Sequence, residues 1–202
     1  MTKNIVFDMG QVLIRWKPEY YLAQGQFSEE EKAMLLKEVF RSVEWVQLDR
    51  GCISLEEAAA KMRSRLPAHL HDAVWDYCIN WYAHPMVPMP GMAELVRELK
   101  GKGYGIYLLS NCSLPLRQHF HRIPGSEVFD GILVSSEHCM IKPQRDIFEK
   151  LFETFSLVPR ECFFIDDSMA NVEAALERGM PGTIFRDDVL LLRQELKENG
   201  IL

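Results

Sequence analysis

Phe163-Phe164-Ile165-Asp166-Asp167-Ser168 is the stretch whose reading decides the fold. Four residues from Cys162 are apolar without interruption, as in a strand buried on both faces, and the run stops at two adjacent carboxylates. Near the N-terminus Ile5-Val6-Phe7-Asp8 repeats the pattern. Carboxylates at the mouths of buried strands repel one another and are costly to desolvate, so their convergence makes sense around a cation. The pattern points to a divalent metal site and to chemistry on an anion.

Working outward, Asn4 to Phe7, Gly105 to Leu109 and Cys162 to Ile165 read as buried parallel strands, with Ile132 to Val134 and Thr183 to Phe185 as two more. Helical spacing fills Met92 to Lys102, Pro143 to Phe155 and Ala170 to Arg178. Strands alternating with helices predict an α/β fold, a doubly wound, Rossmann-like parallel sheet. From about Tyr20 to Tyr82 no strand is evident. Ser28-Glu29-Glu30-Glu31 and Ser54-Leu55-Glu56-Glu57 are capping-box patterns that start two helices there, so this segment reads as an all-helical insertion after the first strand. It leaves through His84-Pro85-Met86-Val87-Pro88-Met89-Pro90-Gly91, where three prolines favour an extended, semi-rigid connector. The expected division is a core over 1–16 and 85–202 with the insertion over 17–84.

Composition narrows the function classes. A net charge of −6 with scattered basic residues gives no general attraction to nucleic acid or acidic membranes. No apolar run approaches the ~20 residues that span a bilayer, and Lys3 leads at once into a strand. The chain reads as a cytoplasmic protein, a monomer or homodimer. Cys52, Cys78, Cys112, Cys139 and Cys162 stand singly without a C-x-x-C pair, which argues against a zinc cluster and for buried reduced thiols. Cys112, after a strand end, is a second candidate nucleophile. The six histidines lack metal-ligand spacing.

In an open parallel sheet, ligands bind beyond the carboxyl ends of the strands. Asp8, Ser110-Asn111, Lys142 in Met140-Ile141-Lys142-Pro143, and Asp166-Asp167 all fall there. This ordered set resembles the four motifs of the haloacid dehalogenase-like hydrolase superfamily, and the resemblance covers nearly the whole chain. It extends to Pro90-Gly91-Met92-Ala93-Glu94-Leu95, Phe129-Asp130-Gly131 and the run from Phe164 to Ala175. Small sugar-phosphate phosphatases of the capped subgroup, including glucose-1-phosphate phosphatase-like proteins, are the most similar members. The resemblance implies a mobile helical cap in the insertion and hydrolysis of a small phosphorylated metabolite through an aspartyl-phosphate. It implies Asp8 as nucleophile, with Mg²⁺ on Asp8, the Gly10 carbonyl and Asp167. Asp166 is implied beside the metal, the two neighbours being interchangeable at this level. Ser110 and Asn111 would cradle the phosphoryl group through a hydroxyl and backbone N–H groups. Lys142 would offset the charge of nucleophile and phosphate.

The first motif departs from the pattern. Phosphatases of this family usually read D-x-D, the second Asp being general acid and base, whereas here Asp8-Met9-Gly10 leaves that position to glycine. Glu44 and Asp49, from the insertion, are candidate substitutes. Three readings stay open: the phosphatase, a metal-independent 2-haloacid dehalogenase, and a catalytically weak relative that binds a phosphorylated ligand. Dehalogenases usually carry D-x-Y, so Gly10 and the acidic pair favour metal. In the insertion, Arg50 of Asp49-Arg50-Gly51 could contact an anion. Trp45, Trp75 and Trp81 suit packing within the helical lobe or a sugar-binding wall.

Overall fold

The computed structural model describes residues 1–79, 86–113 and 115–202. Seven strands occur among them: β1 (Asn4–Phe7), β2 (Ile14–Arg15), β3 (Val87–Pro88), β4 (Gly105–Ser110), β5 (Gly131–Val134), β6 (Cys162–Asp166) and β7 (Gly182–Ile184). Five form one parallel sheet in the order β5-β4-β1-β6-β7. Consecutive strands are laid down on one side of β1 and then on the other, so the loops after β4 and β6 leave in opposite directions and a crevice opens beyond β1. Asp8 stands at that crevice, its N–H bonded to the Ile165 carbonyl at 2.9 Å.

Ten α-helices are described. Five belong to the insertion: α1 (Pro18–Gln24), α2 (Glu29–Leu35), α3 (Val43–Arg50), α4 (Leu55–Arg63) and α5 (His71–Ile79). The other five are α6 (Met92–Gly101), α7 (Leu116–His119), α8 (Arg145–Phe155), α9 (Met169–Glu177) and α10 (Val189–Glu198). Both faces of β1 are covered: Ile5 and Phe7 pack with Leu95, Leu99, Ile106 and Leu108, while Val6 packs with Leu109, Phe148, Leu151 and Phe164. Uninterrupted apolar strands are the consequence of that double burial.

The insertion has its own apolar core, built from Leu22, Leu35, Val39, Ala58, Met62, Leu70 and Val74. Its helices start as their caps require: the Ser28 hydroxyl accepts from Glu31 N at 3.2 Å while Glu31 accepts from Ser28 N at 2.7 Å, and Ser54 accepts from Glu57 N at 3.1 Å. The connector differs from expectation. Val87 and Pro88 pair antiparallel with Arg15 and Ile14, and Met89 N donates to Leu13 O at 2.9 Å, so the chain entering the insertion and the chain leaving it are joined as a short ribbon. His84 and Pro85, like Trp81, lie outside the described residues. Helix α8 starts two residues later than its spacing suggests, because Lys142 and Pro143 belong to a turn closed by Gln144 N on Ile141 O at 2.9 Å. The five cysteines are free, but only Cys78, Cys112 and Cys162 are buried; Cys52 and Cys139 are exposed, on the loops after α3 and β5.

Candidate active site

At the carboxyl edge of the sheet, carboxylate oxygens of Asp8, Asp166 and Asp167 lie within 4.8 Å of one another. Lys142 closes the group. Its Nζ donates to Asp8 Oδ1 at 2.8 Å, Asp166 Oδ2 at 2.6 Å and the Leu109 carbonyl at 2.8 Å, which uses all three protons. Burial alone would pull the Lys142 ammonium down, but the two carboxylates outweigh it and hold the group above its ordinary value. Asp8 is pushed up to about 7 by burial; Lys142 opposes the shift and Asp166 adds to it.

The two neighbouring acids are not equivalent. Asp166 is fully buried, and its oxygens accept from Ser168 N at 2.8 Å, Asn171 Nδ2 at 2.9 and 3.1 Å, and Lys142. Its lone pairs are largely spoken for by the protein. Asp167 is exposed as a residue and bonds only with its own backbone N–H among the described contacts; partial burial of its carboxyl, then Asp166, raises it. Of the two, Asp167 has the free oxygens that a ligand to a cation needs.

Asn111 does something the sequence does not announce. Its amide grips the backbone of Lys142 from both sides, donating to Lys142 O at 3.0 Å and accepting from Lys142 N at 2.8 Å. With its side chain so occupied, Asn111 positions the lysine. Ser110 is buried at the end of β4 and is absent from the cavity wall, whereas Asn111, Cys112 and Ser113 contribute to it.

The cavity above these groups measures about 270 Å³. Gly10 lies in its floor, and a Cβ there would meet Trp16 Cβ in ordinary contact at 3.5 Å. Trp16 packs against both the sheet core and the insertion core, and it stacks on Trp45 with ring centroids 6.1 Å apart and planes inclined by 26°. Together they make an apolar wall facing the acids. Trp45 also packs on Phe40 inside the lobe, so it belongs both to the lobe core and to the cavity wall; Trp75 packs under Arg63, 5.4 Å from the ring, away from the cavity.

Three candidates are corrected. Glu44 is buried and held in an ion pair with Arg65 at 2.7 Å, its carboxyl kept below the usual range first by the hydrogen bonds from that guanidinium; it does not reach the cavity. Arg50 does not line the cavity either, and its Nε is buried without a hydrogen-bond partner. Cys112 is in the wall, but burial, then Asp49 and Asp8, hold its thiol far above the ordinary value, which removes it as a thiolate nucleophile. Asp49, at the last turn of α3, does line the cavity. Gln11, Trp16, Ser113 and Asn171 also line the cavity; of these only Asn171 sits in a recognisable stretch, five residues beyond the Asp166 it supports.

The family model of haloacid dehalogenase-like hydrolases matches residues 2–179. The sesquiterpene phosphatase astK of Aspergillus oryzae is 30% identical over 193 residues, covering 93% of this chain and 91% of that protein. A phosphorylated carbohydrates phosphatase of Thermotoga maritima is 24% identical, covering 87% of this chain and 81% of that protein. The chain also aligns with about a third of the length of longer curated relatives. A solved HAD family enzyme of Bacteroides thetaiotaomicron, in complex with magnesium and inorganic phosphate, superposes with a TM-score of 0.66 at 25% identity, covering 93% of this chain and 96% of that one. Matched along most of its length and carrying the acids and lysine at the carboxyl edge of a parallel sheet, the chain belongs to the haloacid dehalogenase-like hydrolases.

Proposed function

We propose that this chain is a magnesium-dependent phosphatase acting on small phosphate monoesters through an aspartyl-phosphate on Asp8. The observation that carries the reading is the make-up of the site: three carboxyl groups stand against one ammonium, two negative charges in excess once all three are ionised. A divalent cation balances that excess, and its donor set is hard oxygen, which suits magnesium. Asp8, the Gly10 carbonyl and Asp167 would hold it, with Asp166 behind them; bound there, magnesium would neutralise charge on nucleophile and phosphate.

The chain's own residues do the rest. Asp8 attacks phosphorus. Lys142 keeps Asp8 oriented and supplies a fixed positive charge beside the transferring group, while Asn111 keeps Lys142 in place. The loop after β4, which reaches the cavity from Asn111 to Ser113, binds phosphoryl oxygens, while Ser110, the other expected contact, stays buried behind it. The helical unit over 17–84 acts as a cap on a core of 1–16 and 85–202, and the indoles of Trp16 and Trp45 receive the organic part of the ester. A sugar phosphate, with its ring against the indole faces, is one substrate class, and the carbohydrate phosphatase relative agrees with it. The apolar wall and the 30% identical sesquiterpene phosphatase favour a second class, the phosphate of an apolar alcohol. The expected setting is a cytoplasmic monomer or homodimer.

A panel of sugar, alkyl and terpenyl phosphates, assayed with and without Mg²⁺, tests the reading. Phosphate release that needs the metal and disappears in Asp8→Asn is expected. Halide release from a 2-haloacid without metal would favour the dehalogenase. Silence on both panels with saturable stabilisation by phosphorylated ligands would favour a binding relative, the reading Gly10 supports.

A further inference from the structure

We propose that Asp49, a carboxylate of the cap, is the general acid and base that the first motif lacks at Gly10; the inference rests on the phosphatase reading above. The argument is first one of elimination. Among the described residues of the cavity wall, a dissociable proton belongs to Asp8, Asp49, Cys112, Lys142 and Asp167. Asp8 is the nucleophile, and Asp167 is committed to the cation. Lys142 spends its three protons on Asp8, Asp166 and the Leu109 carbonyl. The Cys112 thiol holds its proton too tightly to exchange it at neutral pH. Asp49 remains.

The surroundings fix this carboxylate. One turn earlier on α3, the side chain of Trp45 donates a hydrogen bond to it. The backbone carbonyl of Asp49 accepts from the Ser135 hydroxyl, and the same hydroxyl oxygen accepts from Cys112 N at 2.9 Å. Ser135 thus ties the end of the cap helix to the loop after β4. Just beyond, Gly51 closes α3 with φ of 76°, and a Cβ on it would fall 2.1 Å from the Ser136 carbonyl oxygen, a fit that only glycine allows. The cap is seated on the core at the residue that must deliver a proton.

Its chemistry agrees. Burial, reinforced by Asp8 across the cavity and opposed by the Trp45 hydrogen bond, pushes Asp49 up to about 7, which keeps it partly protonated where an acid and base must exchange roles. Lys142, Asp167 and Cys112 are the other ionisable groups of the wall it shares with Asp8, and Arg50 follows it on its own helix without lining the cavity. In the first half-reaction an Asp8 oxygen bonds to phosphorus, the bond from phosphorus to the alcohol oxygen breaks, and that oxygen leaves with its electron pair and the Asp49 proton. In the second half, Asp49 takes a proton from water as the water oxygen bonds to phosphorus, and the bond to Asp8 breaks to release phosphate.

Asp49→Asn and the smaller Asp49→Ser, each with Mg²⁺, test this on an alkyl phosphate and on p-nitrophenyl phosphate, whose leaving group departs without a proton. Wild-type turnover of the alkyl ester should fall by about 10²–10⁴-fold in both variants. With p-nitrophenyl phosphate the variants should still release one equivalent of nitrophenolate in a rapid burst, then stall for want of the base. Wild-type turnover of both esters by the variants, or a burst slowed as much as alkyl hydrolysis, would overturn the assignment. Wild-type protein that hydrolyses neither ester would instead defeat the phosphatase reading.

Discussion

The Nζ of Lys142 lies 2.8 Å from Oδ1 of Asp8, and this pair draws together parts of the chain 134 residues apart. Both side chains are nearly dry, and the ammonium forms a second ion pair with Asp166 at 2.6 Å. A buried ion pair adds little net stability beyond its desolvation cost, yet removing one partner leaves the other charge uncompensated.

Lys142→Met should therefore destabilise the metal-free protein by about 3–5 kcal/mol, read from urea unfolding. Added Mg²⁺ should return part of that loss, because the cation relieves the stranded carboxylates. Phosphate release should fall with it. An unchanged unfolding midpoint would show that the carboxylates are not strained without the lysine.

Asn111→Ala removes two hydrogen bonds to the backbone of Lys142 and should cost about 1–3 kcal/mol. If the amide acts by positioning the lysine, kcat should drop while KM stays within a few-fold. A rise in KM alone would instead make Asn111 a contact to substrate.

Acid titration offers a third check. The carboxyls of Asp8 and Asp49 are both pushed up to about 7 from ordinary values of 3.8. Between those limits the folded protein binds more protons than the unfolded chain, so stability conferred at low pH is lost as pH rises. The melting temperature of metal-free protein should decline from about pH 4 to about pH 7 on this account and then level off with respect to these two groups. Magnesium should restore it at the upper end, by binding Asp8 as carboxylate. A melting temperature that climbs over the same interval would contradict the raised carboxyls.

Gly51→Ala must place a methyl group against the Ser136 carbonyl oxygen and hold a left-handed backbone. We expect α3 to lift from the core. Activity should fall at least tenfold, by about 1.4 kcal/mol in transition-state stabilisation, with far-ultraviolet circular dichroism unchanged. Full activity in this variant would mean that the cap need not seat there.

The parts of the site that could be read in the sequence are those that local physics makes visible. Asp8, Ser110 and Asp166 end strands whose unbroken apolar character follows from burial on both faces. Lys142 is different. It follows a 3₁₀ turn and a loop beyond β5, so only the ordered motif set pointed to it. The β2–β3 ribbon is invisible in the sequence because two-residue strands carry no period, and Pro88 reads as a connector. Trp16 and Ser113 reach the cavity through tertiary packing alone. Glu44 and Asp49 lie five positions apart on α3 and look equally suitable in sequence; Arg65, far along the chain, neutralises the first and leaves the second facing the acids.

The central claim is that a carboxyl oxygen of Asp8 becomes covalently phosphorylated. Rapid acid quench of the enzyme during turnover of p-nitrophenyl phosphate with Mg²⁺, followed by peptide mass spectrometry, measures this directly. We predict one phosphoryl group on the peptide containing Asp8, accumulating most in Asp49→Asn and absent from Asp8→Asn. Turnover with no phosphoryl group on that peptide, or undiminished hydrolysis by Asp8→Asn, would contradict the account.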